Sequence, residues 1–462
     1  MTRYDLCVIG SGPSGQKAAI QAAKLGRKVC VVERMQQVGG VALHTGTIPS
    51  KALRQAIVEA TGGKDHLRAR AEVKSGELSI STLLASCQRI MATEMEVVQL
   101  HLRRNGVDLV HGEASFLDVN TALVKGLDGE SQIKADIFIV AVGTEPVRPD
   151  YIPFDQKCVL TSDDLLHLKC LPESLIVVGG GVVGTEFASM FARLGVRVTM
   201  LLSGSRVLSF LDSQIGEALQ YHMRNHGVTM RFGETLASVE KLEDGPQSRV
   251  QVCVESGKCL QAEAFLLCIG RQGCTAPLHL ENVGLEADHR GRIAVDKQYR
   301  TQVPNIYAVG DIIGFPSLAS TSMNQGRMAA VHIFGDEKVS MRRFFPYGIY
   351  SIPEISMVGD TEEGLTEKGI PFETGSASYK EIARGQLLGD DVGMMKILFC
   401  PTSRKVLGVH IIGTGATELI HIGQAVMTLD STLDYFIDSA FNYPTLAECY
   451  RVAALNGINK LG

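Results

Sequence analysis

Tyr4-Asp5-Leu6-Cys7-Val8-Ile9-Gly10-Ser11-Gly12-Pro13-Ser14-Gly15 joins an apolar run of strand length to a glycine-rich turn. A helix-forming stretch around Ala18 to Lys24 follows, and a second strand, Lys28 to Val32, ends in Glu33. The same order returns at Ser174-Leu175-Ile176-Val177-Val178-Gly179-Gly180-Gly181-Val182-Val183-Gly184, with a helix from Glu186 to about Arg193 and a strand from Arg197 to Leu201. One G-x-G-x-x-G carries little weight. Two copies, each between an apolar strand and a helix that leads to another strand, predict two dinucleotide-binding units. Gly10, Gly12 and Gly15, like Gly179, Gly181 and Gly184, would permit a tight turn, approach of backbone to a pyrophosphate, and close helix–strand packing. The helix N-terminus offers N–H groups and a positive dipole end to phosphates, and Ser14 lies in the glycine-rich turn before it.

The end of the second strand separates the copies. Glu33 lies 33 − 15 = 18 residues after Gly15. A carboxylate there bonds a ribose 2′-hydroxyl and repels a 2′-phosphate, which suits FAD or NAD. The same count from Gly184 reaches Leu202, followed by Ser203, Gly204, Ser205 and Arg206. No acid excludes NADP here. Arg206 with Ser203 and Ser205 is suited to a 2′-phosphate; the competing reading is a solvated surface arginine.

Bulk properties narrow the class. The 462 residues are 45% hydrophobic and 21% charged, enough apolar material for a large core in two to four domains. The net charge of -5, with no polybasic run, argues against a nucleic-acid partner. No stretch approaches the roughly 18 apolar residues of a membrane span. The first apolar strand begins almost at Met1, leaving no room for a signal peptide, so a cytoplasmic protein is expected. Of the eleven cysteines, no two form C-x-x-C and no two have four residues between them. No metal site is expected, and the cysteines read as buried small hydrophobes in a reducing compartment.

A third segment, Thr301-Gln302-Val303-Pro304-Asn305-Ile306-Tyr307-Ala308-Val309-Gly310-Asp311, resembles the stretch of two-dinucleotide flavoproteins whose aspartate bonds the ribityl chain. The resemblance places Leu318-Ala319-Ser320 and a helix from about Ser322 under the isoalloxazine. The exits Ala141-Val142-Gly143 and Cys268-Ile269-Gly270-Arg271 resemble the short strands that link the nucleotide domains of such proteins. Together these segments are similar to the pyridine nucleotide–disulfide oxidoreductase family, which includes glutathione reductase and dihydrolipoamide dehydrogenase. The fold implied is α/β, with two Rossmann-like domains, the second inserted in the first, and a C-terminal α+β dimerisation domain. The expected boundaries are 1–152 and 274–341 for an FAD domain, 153–273 for an NAD(P) domain, and 342–462 for the C-terminal domain. In that last domain the run Met395 to Phe399, the run Val406 to Ile412, and a helix around Glu418 to Met427 are expected elements.

The family's redox motif carries two cysteines with four residues between them, before Ile-Pro-Ser-Lys. Here Gly39-Gly40-Val41-Ala42-Leu43-His44-Thr45-Gly46-Thr47-Ile48-Pro49-Ser50-Lys51 fits that frame with Ala42 and Thr47 at the cysteine positions. Neither can form a thiolate or a disulfide. The family's C-terminal His-Pro-Thr-x-x-Glu reads Tyr443-Pro444-Thr445-Leu446-Ala447-Glu448. A phenol is a poor general base at neutral pH. The thiol pair and its proton acceptor are both absent, which points to chemistry without a thiol.

What the resemblance keeps is Lys51, beside flavin N5, and Glu186, its partner. A cation there would favour hydride arrival at the flavin. The role of His44 stays open. Thr45 to Arg54, Gly310 to Ser320, and Phe441 to Gly457 resemble the family's FAD-containing transhydrogenases. The expected activity is therefore ping-pong hydride transfer from NADPH to FAD and on to NAD+, or the reverse, at one nicotinamide site. Candidate catalytic residues are Lys51, Glu186, Tyr443 and Glu448. Candidate cofactor residues are the six fingerprint glycines with Ser14, Glu33, Lys51, Gly143, Glu186, Ser203, Arg206, Gly270, Gly310, Asp311 and Ala319. A quinone or dye reductase on the same scaffold is the alternative enzyme, and a flavin redox sensor is the non-enzymatic one. A homodimer or larger homo-oligomer is expected.

Overall fold

A computed structural model describes residues 3–62, 66–75, 78–242, 249–336, 339–341 and 343–462. Residue 342, where the sequence reading begins the C-terminal domain, lies outside them. The chain divides into two units, each built from three stretches.

The first unit contains residues 1–53, 84–147 and 270–341. Its sheet runs in the order Asp108–His111, Val29–Glu33, Arg3–Ile9, Gly129–Val140, Thr121–Gly126, Glu113–Asp118, and Ile306–Ala308 joins the far side of Gly129–Val140. Arg3–Ile9 pairs in parallel with both neighbours, Val8 facing Val31 on one side and Ile139 on the other. A strand covered on both faces reads as a continuous apolar run. Accordingly Leu6 and Val8 enter one core and Cys7 and Ile9 the other. The helix Pro13–Lys24 packs against Ala319–Phe334 at backbone distance. A Cβ on Gly326 would meet the Ser14 carbonyl oxygen at 1.9 Å.

The second unit contains residues 54–83, 148–269 and 342–462. One parallel sheet runs Thr229–Phe232, Arg197–Leu202, Ser174–Val178, Ala264–Leu267, Val159–Thr161. A three-stranded meander, Leu236–Leu242, Arg249–Val254 and Cys259–Ala262, packs its inner valines into the same core. An antiparallel sheet of Tyr347–Ile349, Ile355–Gly359, Val406–Ile412, Met394–Phe399 and Glu373–Ser378 carries the helices Ala416–Thr428 and Glu448–Ile458. The molecule is thus α/β, with two Rossmann-like sheets and an α+β C-terminal part.

Two expectations need correction. The fingerprint helices begin at Pro13 and Val182, not near Ala18 and Glu186, because Gly12 and Gly181 are themselves the N-caps. The helix expected near Ser322 likewise begins at Ala319. Cys253 and Cys259 are not isolated small hydrophobes. The meander pairs them directly across adjacent strands, and a disulfide joins them. The nine other cysteines form no disulfide.

The Gly326 contact leaves no space for a methyl group. Gly326→Ala is expected to destabilise the first unit by about 2 kcal/mol, as for overpacking at a rigid contact. Chemical denaturation followed by flavin release and far-ultraviolet dichroism checks it.

Candidate functional sites

In the first fingerprint each glycine meets a different constraint. Gly10 has φ +105°, and a Cβ there would lie 2.4 Å from the Ala141 carbonyl oxygen. A Cβ on Gly15 would lie 2.0 Å from the Gly10 oxygen. A Cβ on Gly12 would meet nothing within 4 Å, so the turn is open at the one glycine that should face a ligand. The second fingerprint repeats this. Gly179 (φ +115°) abuts the Cys268 oxygen at 2.2 Å, Gly184 abuts the Gly179 oxygen at 2.4 Å, and Gly181 faces open space. Neither helix has a side-chain cap at its N-terminus. Backbone N–H groups at each are therefore available to an anion.

Glu33 ends its strand buried. One carboxylate oxygen accepts hydrogen bonds from the Ser11 N–H (3.0 Å) and Ser11 hydroxyl (2.5 Å), and the other accepts the Met35 N–H (2.9 Å). The Ser11 hydroxyl also accepts the Gly39 N–H at 2.9 Å. The fingerprint turn, the strand end and the start of the Gly39–Lys51 segment thus share one network. Gly40 presses on Gly12, where a Cβ would come within 2.9 Å of the Gly12 Cα. Ala42 lies in the short helix Gly40–His44, and Thr47 opens the helix Thr47–Thr61 that carries Lys51. The His44 ring is tied to the Val38 carbonyl at 3.1 Å.

Segments far apart in sequence meet at the fingerprint helix. Gly310 has φ +85°, and a Cβ there would lie 2.6 Å from the Ser14 hydroxyl. Its N–H donates to Gln325 at 2.8 Å. Asp311 accepts from the Ser322 hydroxyl at 3.3 Å. Burial pushes the Asp311 carboxyl above its usual range, against opposing pulls from Arg271, Ser322 and Thr144. Ala319 opens its helix one residue after the N-cap Leu318. Gly143 (φ +66°) accepts the Cys274 N–H, and Gly270 (φ +126°) accepts the Val147 N–H, at the two ends of the short ribbon Thr144–Pro146 with Arg271–Gly273.

In the second unit, the buried Glu186 accepts the Tyr350 N–H at 2.8 Å. Ser189, one turn on, accepts the Ile352 N–H at 3.0 Å and donates to the Glu186 carbonyl at 2.8 Å. Sequence reasoning missed the rest of this anchor. Arg54 donates to the Ser351 carbonyl (3.1 Å) and pairs with Glu354 (3.2 Å), with both side chains largely buried. The pentapeptide 350–354 therefore grips the Glu186 helix and the C-terminal half of the helix that began at Thr47. Leu202 is buried, and its methyl group occupies the space beside Gly180 where a Cβ would come within 2.5 Å. The next loop folds back so that the Leu208 N–H donates to the Gly180 carbonyl at 2.8 Å. Ser203 and Arg206 thus lie on a loop tied to the second fingerprint. Tyr443 is exposed. Glu448 opens its helix with Oε2 buried and without a hydrogen-bond partner among the described residues. No hydrogen bond joins the two.

Residues 4–326 match the pyridine nucleotide-disulphide oxidoreductase family, and residues 345–454 match that family's dimerisation domain. The chain belongs to this family. A soluble pyridine nucleotide transhydrogenase of Mycobacterium bovis is 48% identical, covering 100% of this chain and 98% of its own length. One from Hahella chejuensis is 44% identical over 99% of each. Among solved structures, LpdA of Mycobacterium tuberculosis superposes with a TM-score of 0.89 at 27% identity. The HOCl-induced flavoprotein disulfide reductase RclA of Escherichia coli, as a Cu(II) complex, gives the same score and identity. Each of these two covers 98% of this chain and 99% of its own. The family implies FAD and a nicotinamide nucleotide. Among the described residues no helix is long and apolar enough to cross a membrane, and no cluster of three metal-ligating side chains occurs.

Behind the Glu186 helix, a small recess is lined by Ser189, Arg193, His222, His226 and Ile352, among others. Arg193 donates to the Thr61 hydroxyl and Gly62 carbonyl, and the two imidazoles stack 4.1 Å apart. These bonds make the recess a structural joint. Burial first, then the neighbouring His226 and Arg193 charges, lowers His222 to about 4, against weaker pulls from Asp390 and Asp391. The folded chain therefore binds fewer protons than the unfolded chain from about pH 6.5 down to 4. The stabilisation is complete above that window and is lost as pH falls through it. His222→Asn is expected to flatten the acid-side loss of stability, as urea midpoints at pH 7, 6 and 5 would record.

Proposed function

We propose that this chain is an FAD-dependent NAD(P)+ transhydrogenase, carrying hydride from NADPH to NAD+ or in reverse. The observation that carries the reading is the asymmetry of the two fingerprints. The buried Glu33 carboxylate suits a ribose hydroxyl and repels a 2′-phosphate, so the first fingerprint is assigned to FAD. Leu202 offers no such charge, and Arg206 stands nearby, so the second is assigned to NAD and NADP in turn. Relatives named soluble pyridine nucleotide transhydrogenases, 43–48% identical over almost the whole chain, support it.

The residues fit both ligands. Gly12 and Gly181 leave the turns open, and the uncapped helix ends present N–H groups to a pyrophosphate. Asp311, the residue after the Gly310 that abuts Ser14 of the fingerprint helix, would accept from a ribityl hydroxyl. When bound, FAD supplies the two-electron relay between nucleotides. Lys51 supplies positive charge toward it, and Glu186, oriented by the Tyr350 N–H, keeps a fixed carboxylate on the nucleotide helix. Gly143, Gly270 and Ala319 shape the walls. With Ala42 and Thr47 at the positions where a redox pair would stand, no thiol competes for the electrons. Tyr443 and Glu448 act at the dimerisation domain of a cytoplasmic homodimer. The domain reading is 1–152 with 274–341, 153–273, and 342–462.

The test is an anaerobic single turnover. NADPH is expected to bleach the flavin absorbance, and NAD+ is expected to restore it with release of NADH. Bleaching that a quinone reverses and NAD+ does not would replace this reading with a quinone reductase. No bleaching at all would leave a flavin sensor.

A further inference from the structure

We propose that Glu363, on the helix Glu362–Glu367 within the dimerisation-domain match, sets the balance between NADP and NAD by competing with the 2′-phosphate for Arg206. The inference rests on the reading of Arg206 as the 2′-phosphate contact.

Arg206 is anchored at one end of its guanidinium, where Nη2 donates to the Ser209 carbonyl at 2.7 Å. The other end, Nη1, lies 3.7 Å from Glu363 Oε1. The side chains are 32% and 41% exposed, so the pair is reachable from solvent and able to exchange partners. The carboxylate is the fixed member. Glu363 Oε1 accepts the Ser213 N–H at 3.0 Å, at the start of the helix Ser213–Asn225. Its neighbour Glu362 binds Lys396 Nζ at 2.6 Å, and that ammonium holds both oxygens of Asp212 at 2.8 and 2.9 Å. Lys396 and Asp212 are almost wholly buried, and Asp212 is the N-cap of the same helix. Partial burial favours a neutral Glu363 carboxyl, but hydrogen bonds headed by that from Ser213 hold it down at about 2. The negative charge is therefore present throughout the working pH range.

A site that takes the two nucleotides in turn faces an electrostatic problem. An unpaired arginine at the ribose would hold the phosphorylated nucleotide and slow its release. With NAD bound, Glu363 keeps the guanidinium paired. With NADP bound, the dianionic phosphate takes over the exposed donors of Arg206, and Glu363 recovers them when NADP leaves. The carboxylate thus lowers affinity for NADP selectively and leaves NAD untouched.

The test uses the full-length, FAD-loaded protein and measures Kd for NADP+ and NAD+ by titration. Glu363→Gln, which keeps an acceptor for the Ser213 N–H, is expected to tighten NADP+ about two- to fivefold, the span of a partly exposed ion pair, with NAD+ unchanged. Glu363→Asp, with the charge kept on a shorter arm, should give a smaller shift in the same direction, and it serves if the glutamine variant does not fold. Arg206→Ala is expected to weaken NADP+ about tenfold or more and to abolish the effect of Glu363→Gln in the double variant. Equal shifts for both nucleotides, or none, in Glu363→Gln would overturn the role of Glu363. An unchanged NADP+ to NAD+ ratio in Arg206→Ala would instead overturn the reading of Arg206 on which it rests.

Discussion

The rest of the structure depends on a backbone contact that only glycine allows. At Gly10 and Gly179 the strand leaves the sheet with positive φ, and its Cα faces the carbonyl at the end of a neighbouring strand, Ala141 or Cys268, with no space for a Cβ. Gly15 and Gly184 then bring the helix down onto the same turn. The result is a helix N-terminus fixed at the carboxyl end of a parallel sheet. Everything proposed to bind a phosphate follows from that placement.

On this shared frame, the two copies differ by what fills the space beside the second residue of the turn. In the first copy it is a carboxylate, and the residue is Ser11, whose N–H and hydroxyl both donate to Glu33. In the second it is a methyl group, and the residue is Gly180, against which Leu202 packs. The buried acid in the first copy is satisfied by three donors, the Ser11 N–H, the Ser11 hydroxyl and the Met35 N–H. Replacing that network by a leucine removes the repulsion toward a 2′-phosphate without leaving an unsatisfied buried group. The discrimination between ribose and phosphoribose is then passed to the loop that follows, where charges are exposed and exchangeable.

The fingerprints were legible in the sequence because their constraint is local. A glycine at positive φ, an apolar strand before it and an amphipathic helix after it all fall within about thirty residues. The approach of Gly310 to Ser14 was not legible from spacing, and resemblance marked Gly310 and Asp311 only as a flavin segment. Arg54 with Glu354, and Arg206 with Glu363, left no signal as pairs, since Glu354 and Glu363 read as ordinary charged residues and Arg206 reads as a nucleotide contact. The helix starts were misjudged because glycine is a poor helix former, yet Gly12 and Gly181 serve as N-caps with extended backbone. Cys253 and Cys259 were misread for a similar reason. Their spacing matches no metal or redox motif, and only the register of the hairpin sets them opposite each other.

The buried pair of Asp212 and Lys396, which the partly exposed Glu362 joins, bears on position more than on stability. Taking these charges out of water costs several kcal/mol, and a hydrophobic replacement of the same volume would often match the ion pairs in stability. Such a replacement would not fix orientation. Asp212 both caps the helix Ser213–Asn225 and binds Lys396 through two oxygens, so the ammonium has one position relative to that helix. Glu362 must then meet the remaining face of the ammonium, which sets the rotation of its own helix and with it the direction of Glu363. A carboxylate that must compete with a phosphate without replacing it has to sit at a distance of weak attraction. The separation of 3.7 Å from Arg206 is longer than a hydrogen bond and shorter than the reach of screening by salt at physiological strength. A rigid triad behind Glu363 can hold that distance, whereas a free surface glutamate would close on the arginine or drift into solvent.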